Sequence, residues 1–199
     1  MAALFQENVR LNLPDSEMVY YPCFLEKNEA DTYFELLKKT VPWQQDTIKV
    51  FGKEYLQPRL TALYASNERT YSYSNITMRP LPFTGELLEI KKKIEIHTRA
   101  KFTTCLLNLY RDGKDSNGWH SDDEKELGTN PVIASLTLGQ ERFFHLKHKK
   151  DKTLRQKILL EHGSLLVMGG KTQNHWLHQI PKTARPIGKR INLTFRVIK

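Results

Sequence analysis

The sequence predicts a mainly β domain of the α+β kind: a sandwich, jelly roll or barrel with N-terminal helices packed on its outside. Three observations predict it. The second half breaks into short segments rich in apolar and β-branched residues, at 103–112, 131–139, 141–148, 156–162, 163–169, 175–180 and 190–199, separated by Gly, Pro, Asn or charged turns. Many short strands at close spacing suit a sandwich, jelly roll or barrel better than an alternating α/β fold. Helical periodicity is confined to two stretches of the first half. Finally, 199 residues, 39% of them hydrophobic, suffice for one core and are short for two. There is no internal repeat, low-complexity tract or linker, so residues 1–199 are expected to form a single domain.

The first helix is expected over 28–40, with Asn28 as N-cap and Ala30, Tyr33, Phe34 and Leu37 on one face. The second is expected over 85–100. There Leu87, Ile90 and Ile94 share a face, and Lys91, Lys92 and Lys93 spread around the polar side. Between the helices, 46–56, 58–65 and 69–75 read as short strands with turns.

Thirty-one Lys and Arg against 22 Asp and Glu give a formal charge of +9. Such a balance attracts polyanions, either nucleic acid or an anionic membrane surface. Two basic groups stand out: Lys147, Lys149, Lys150, Lys152, Arg155 and Lys157, then Lys182, Arg185 and Lys189. Either can neutralise phosphates without reading sequence, or simply be a solvated loop. The two cysteines, Cys23 and Cys105, form no C-x-x-C pair and no disulfide framework, which fits a reducing setting. The first residues carry charge early, and no apolar run approaches the ~20 residues of a membrane helix. A soluble, intracellular, monomeric protein is expected: cytoplasmic if bacterial, nuclear if eukaryotic, with no membrane partner.

The strongest local signal is W-H-S-D-D-E at 119–124. On an extended strand His120 and Asp122, two residues apart, leave on the same face and can reach one ion. Two histidines and one carboxylate on one side of a metal leave positions open for a co-substrate and O2, as in non-haem Fe(II) oxygenases. Alone, H-x-D is weak, since most such pairs are surface residues or turn hydrogen bonders. For a second histidine, His97 lies on a helix, His145 and His148 look solvated in a lysine-rich strand end, and His162 sits in a turn. His175 and His178 share the strand H-W-L-H-Q-I. Alternation places His178 with Trp176 and Ile180 on the apolar face and turns His175 away. His178 is then a metal ligand or a hydrogen-bonded core histidine.

In the final strand Arg190, Asn192, Thr194 and Arg196 alternate with Ile191, Leu193, Phe195 and Val197. The polar face either is solvated or lines a cavity for a small dicarboxylate, which an arginine fork engages with two parallel hydrogen bonds. Asn108 and Tyr110 share a face of L-L-N-L-Y and suit the same ligand.

Together, N-x-Y, H-x-D, a distal His and R-x-N-x-T-x-R resemble the AlkB family of nucleic-acid dealkylating dioxygenases. L-L-N-L-Y-R-D-G, H-G-S-L-L-V-M-G-G and H-W-L-H-Q-I-P-K-T carry the resemblance over most of 102–197, and P-R-L-T-A-L-Y-A and T-Y-S-Y-S extend it upstream. Residues 1–40 match only loosely. The resemblance implies a double-stranded β-helix, or jelly roll, over 101–199, preceded over 1–100 by helices and nucleotide-recognition strands. It implies that His120, Asp122 and His178 hold Fe(II), and that Asn108, Tyr110, Arg190, Asn192, Thr194 and Arg196 contact 2-oxoglutarate, with O2 as the second co-substrate. It leaves open which arginine takes which carboxylate.

The implied activity is oxidative demethylation of bases such as 1-methyladenine and 3-methylcytosine in DNA, single or double stranded, with RNA as a further substrate. The methyl group leaves as formaldehyde and the co-substrate as succinate. An alkylated base must leave the stack to react. Tyr71 and Tyr73 match positions that contact the extruded base, and Asp123 and Glu124 offer an acidic edge to a cationic one. The turn K-V-F-G-K, followed by Pro58 and Arg59, resembles the finger of the duplex-acting vertebrate member. Phe51 is the implied wedge, with Gly52, Lys53 and Arg59 beside it. Alternatives are an oxygenase of the same fold acting on RNA, protein or a small molecule, and a non-catalytic nucleic-acid-binding module.

Overall fold

A computed structural model describes residues 8–50, 53–66, 71–73 and 76–198. In chain order it holds β1 (Val9–Leu11), β2 (Glu17–Tyr21), α1 (Lys27–Thr40), β3 (Thr47–Val50), β4 (Lys53–Leu56), β5 (Leu60–Ala65), β6 (Tyr71–Tyr73), β7 (Ile76–Met78) and β8 (Leu81–Pro82). Then come α2 (Gly85–Thr98), β9 (Thr104–Tyr110), β10 (Asn117–His120), β11 (Ile133–Gly139), β12 (Arg142–His148), β13 (Arg155–Leu160) and β14 (Leu165–Gly169). A single helical turn, α3 (Thr172–His175), leads to β15 (Trp176–Ile180) and β16 (Arg190–Arg196).

The last eight strands make the jelly roll. One sheet runs β14-β11-β16-β9 at its centre and is extended by β2 and β1 on one side and by β5 and β8 on the other. The facing sheet runs β10-β15-β12-β13. Two-stranded hairpins, β3-β4 and β6-β7, stand apart.

The large sheet is buried on both faces, so β16 and β9 are buried along their whole length although their sequences alternate. Ile191, Leu193 and Phe195 join Leu107, Leu109 and Leu136 in a core with Tyr33 and Leu37 of α1 and Leu87, Ile90 and Ile94 of α2. The helices thus cover the outer face, as their apolar stripes predict. A second core between the sheets holds Ile133, Phe144, Leu146, Leu160, Met168, Trp176 and Ile180. The polar face of β16 looks into that same space.

Four local expectations are corrected. The first helix starts at Lys27, one residue before Asn28, and its cap lies two residues earlier than expected: Ala30 N donates to Glu26 O at 2.9 Å, so Glu26 is the cap and Asn28 lies in the first turn. His175 closes α3 rather than opening the strand, which begins at Trp176. His148 is buried, because even-numbered residues of β12 point inward with Phe144 and Leu146, whatever the lysines around them. The second helix ends at Thr98, with Arg99 at φ 56° as its left-handed cap.

Candidate active site

The cavity between the sheets is lined by His120, Asp122 and His178 at one end and by Asn108, Tyr110, Arg190, Asn192, Thr194 and Arg196 along β9 and β16. His120 ends β10 opposite His178 of β15. Asp122 lies two residues beyond the strand, in the following loop, so period-two alternation alone does not place it. Gln173 of α3 does: its Oε1 accepts from Asp122 N at 3.0 Å. The other end of Asp122 is held by Arg196, whose Nη2 donates to Oδ1 at 2.6 Å in a fully buried pair.

The ligand atoms of His120, Asp122 and His178 all lie within 4.8 Å of one another. His120 Nδ1 sits 2.7 Å from Gly118 O and therefore carries the proton, which leaves Nε2 unprotonated, an acceptor for Asn117 Nδ2 at 3.2 Å. That Nε2 lies 3.1 Å from His178 Nε2. Burial, then His120, pushes His178 down to about 3, so it is a neutral imidazole. Burial opposes ionisation of Asp122, yet the Arg196 guanidinium bonded to it keeps its carboxyl below the usual range. Two neutral imidazoles and a carboxylate converging in a buried space are donors that a divalent cation satisfies and that repel without one.

The co-substrate half also fits its group. Arg190 is 1% exposed. Its Nη2 donates to Thr137 Oγ1 at 2.9 Å, while Nε and Nη1 have no protein partner. Burial pushes it down to about 10, and the Tyr110 ring lies beneath its guanidinium at 5.1 Å. A buried cation with two unmet N–H groups calls for an anionic acceptor. Asn192 and Thr194, by contrast, are satisfied internally: Asn192 Nδ2 donates to Ser135 Oγ at 2.8 Å, and Thr194 Oγ1 donates to Asn192 Oδ1 at 3.0 Å. Asn108 Oδ1 accepts from Arg59 Nε at 2.8 Å.

The expected substrate contacts are more scattered. Arg59 is buried behind Asn108 and also donates to Ser116 O at 3.3 Å, so it braces the cavity wall rather than standing at the surface. Asp123 is exposed and accepts from Ser121 Oγ at 2.9 Å and Lys149 Nζ at 3.0 Å. Glu124 is half-buried; burial and Asp122 raise its carboxyl, and its Oε2 has no protein partner. Lys53 is exposed on β4, and Tyr71 and Tyr73 lie on the β6 strand. Phe51 and Gly52 lie outside the described residues.

Sequence reasoning missed Gln173, Ser135 and Thr137, which hold the expected site residues in place. Parity on β11 could have found the last two, since Ser135 and Thr137 alternate with core Ala134, Leu136 and Leu138. Among the described residues a second group, Asp15, His148 and His175, also has metal-ligand spacing. Its tautomer argues otherwise. His148 Nδ1 accepts from Asp151 N at 3.0 Å and Lys150 N at 3.3 Å, so the proton is on Nε2, the atom a metal would need bare.

Residues 17–196 match the profile of the 2OG-Fe(II) oxygenase superfamily. The chain is 46% identical over 192 residues to the bovine (Bos taurus) protein named alpha-ketoglutarate-dependent dioxygenase alkB homolog 3, covering 92% of this chain and 66% of that one. It is 41% identical over 214 residues to the DNA oxidative demethylase ALKBH2 of Arabidopsis thaliana, covering 92% of this chain and 67% of that one. The solved structure of OsALKBH1 superposes with a TM-score of 0.71 over 96% of this chain and all of that one, at 17% identity, which speaks for the fold alone. The chain therefore belongs to the 2OG-Fe(II) oxygenase superfamily and, within it, to the AlkB family. Membership implies Fe(II) and 2-oxoglutarate as its metal and co-substrate. No helix among the described residues is long and apolar enough to cross a membrane.

Proposed function

We propose that this chain is an Fe(II)- and 2-oxoglutarate-dependent dioxygenase that oxidatively demethylates alkylated bases, of the 1-methyladenine and 3-methylcytosine type, in DNA. The observation that carries the reading is the pairing, in one cavity, of a His-Asp-His donor set with a buried arginine lacking an anionic partner. The names of the relatives, alkB homolog 3 and DNA oxidative demethylase, supply the substrate class. When bound, Fe(II), 2-oxoglutarate and O2 supply an oxidation that converts the co-substrate to succinate and CO2, and the N-methyl group to a hemiaminal that sheds formaldehyde.

The chain's own residues bind and orient. His120, Asp122 and His178 hold Fe(II) from one side. Arg196 is bonded to Asp122, so it serves the end of 2-oxoglutarate nearest the metal. Arg190, six residues along the same strand, takes the far carboxylate through Nε and Nη1. Asn108, Tyr110, Asn192 and Thr194 line the length between. Tyr71, Tyr73, Asp123 and Glu124 receive the extruded base. Asp123 and Glu124 favour a cationic methylated base over a neutral one. Residues 1–100 supply recognition elements and 101–199 the catalytic core. The test is formaldehyde and succinate release from methylated oligonucleotides supplied as DNA and RNA, paired and unpaired. Stoichiometric release from DNA is expected; succinate without formaldehyde on every oligonucleotide would overturn the substrate.

A further inference from the structure

The sheet β10-β15-β12-β13 has two faces, and the site uses one of them. On β12, Phe144 and Leu146 point into the core, so Phe143, His145 and Lys147 point out. On β13, Ile158 and Leu160 point in, which turns Lys157 out, directly opposite His145. Two aromatic rings stand on this outer face: Phe143 is 41% exposed and Trp119, on the edge strand β10, is 37% exposed. Each lies beneath a lysine. Lys147 Nζ is 4.2 Å from the Trp119 ring centre and Lys157 Nζ is 3.7 Å from that of Phe143.

Charge on this sheet is one-sided. The four strands, N-G-W-H, W-L-H-Q-I, R-F-F-H-L-K-H and R-Q-K-I-L-L, contain no Asp or Glu. A cleft at the Phe143 end adds Lys182 and Arg185, with Glu141 as the one acidic residue lining it. A solvated sheet face in a chain with 22 acidic residues ordinarily mixes signs, and exposed aromatics are ordinarily depleted from it. Aromatic rings interleaved with cations suit a ligand that is flat and apolar in one part and anionic in the next. That is a single-stranded nucleic acid, whose bases stack and whose phosphates pair with lysine. A duplex keeps its bases stacked on each other and offers this face only phosphates. From strand spacing, the two rings stand about 12 Å apart, room for two bases rather than one. Trp119 also adjoins the metal-site residue His120 on β10, at the edge of the sheet.

We propose that this outer sheet face is a stacking platform for single-stranded nucleic acid flanking the reacting nucleotide, with Trp119 and Phe143 as its rings and Lys147 and Lys157 as phosphate partners. The proposal deepens the function proposed above and rests on it for the identity of the bound strand. In the free protein the lysines cover the rings; on binding they exchange ring for phosphate.

The probe is unmethylated single-stranded oligothymidylate, titrated into the full chain while tryptophan fluorescence is followed; of the three tryptophans Trp119 is the surface one. Quenching is expected. Phe143→Ala should weaken binding about tenfold, Phe143→Tyr should restore it, and Lys157→Gln should lower the salt slope by about one. A duplex of the same length should be insensitive to Phe143→Ala. Unchanged affinity in Phe143→Ala, an equal loss on duplex, or equal quenching by polyglutamate, which would mark an acidic protein partner, overturns the platform. Turnover of a short methylated trinucleotide separates the two readings. If wild type demethylates it while Phe143→Ala leaves oligothymidylate binding intact, only the platform falls. If binding behaves as expected and no substrate is demethylated, the platform stands and the proposed reaction falls.

Discussion

Replacing Arg190 with Met should raise the stability of the ligand-free protein and abolish its response to 2-oxoglutarate. The guanidinium is buried, and two of its N–H groups meet no protein acceptor. Burial lowers it from the ordinary arginine value to about 10. That difference is worth about 3 kcal/mol against the folded, charged form. The sign follows from the charge. A base whose folded value is depressed destabilises the fold at every pH below that value, and the penalty is relieved only as pH rises above about 10. Methionine removes the charge and keeps most of the volume. It loses the bond to Thr137, worth about 1 kcal/mol, leaving a net gain of about 2 kcal/mol. For a chain of 199 residues this is roughly 4–8 °C in Tm. The assay is thermal unfolding at neutral pH in saturating Mn(II), with and without 2-oxoglutarate. Wild type should melt lower when free and rise on addition, while Arg190→Met should melt higher and stay flat. A variant that melts lower than wild type and still responds to 2-oxoglutarate would refute the reasoning.

Alanine at His120, Asp122 or His178 should leave the purified protein folded but unable to retain Fe(II) or Co(II), read by metal analysis; two equivalents in wild type, one of them lost in His175→Ala, would revive the second cluster. Gln173→Ala should lower metal affinity about tenfold by freeing the Asp122 backbone, with Gln173→Asn recovering part of it; unchanged metal affinity in Gln173→Ala would reduce the side chain to packing. Phe51→Ala should lower demethylation of a methylated duplex far more than of the same lesion unpaired, and equal losses on both would assign the residue to the core.

Sequence alternation made the inner wall legible because it is a local property. Once β16 is a strand, Arg190, Asn192, Thr194 and Arg196 must share a face, and the neighbouring Asn108 and Tyr110 follow by the same parity on β9. His178 came the same way, from Trp176 and Ile180. What alternation cannot carry is contact across the chain. Asp122 sits beyond its strand and is placed by Gln173 and Arg196, 51 and 74 residues away. Arg59 was expected among the substrate contacts from its place beside the finger turn, and only the fold reveals that its Nε reaches Asn108 of β9. His148 was misread through its lysine neighbours, although the parity of Leu146 already pointed it inward. His175 was drawn into its strand because one helical turn leaves no periodicity to see.

The position of β16 in the sheet bears on how the molecule is made. It is the last strand of the jelly roll to be synthesised, yet it lies between β9 and β11, bonded to both along its length. Until residues 190–196 leave the ribosome, those two strands present open edges facing a gap, and the helices have only part of a floor to pack on. The wall that orients the co-substrate is therefore also the closing stave of the sheet. Chains stalled or truncated before it should accumulate as aggregation-prone, chaperone-bound species rather than as folded, inactive protein.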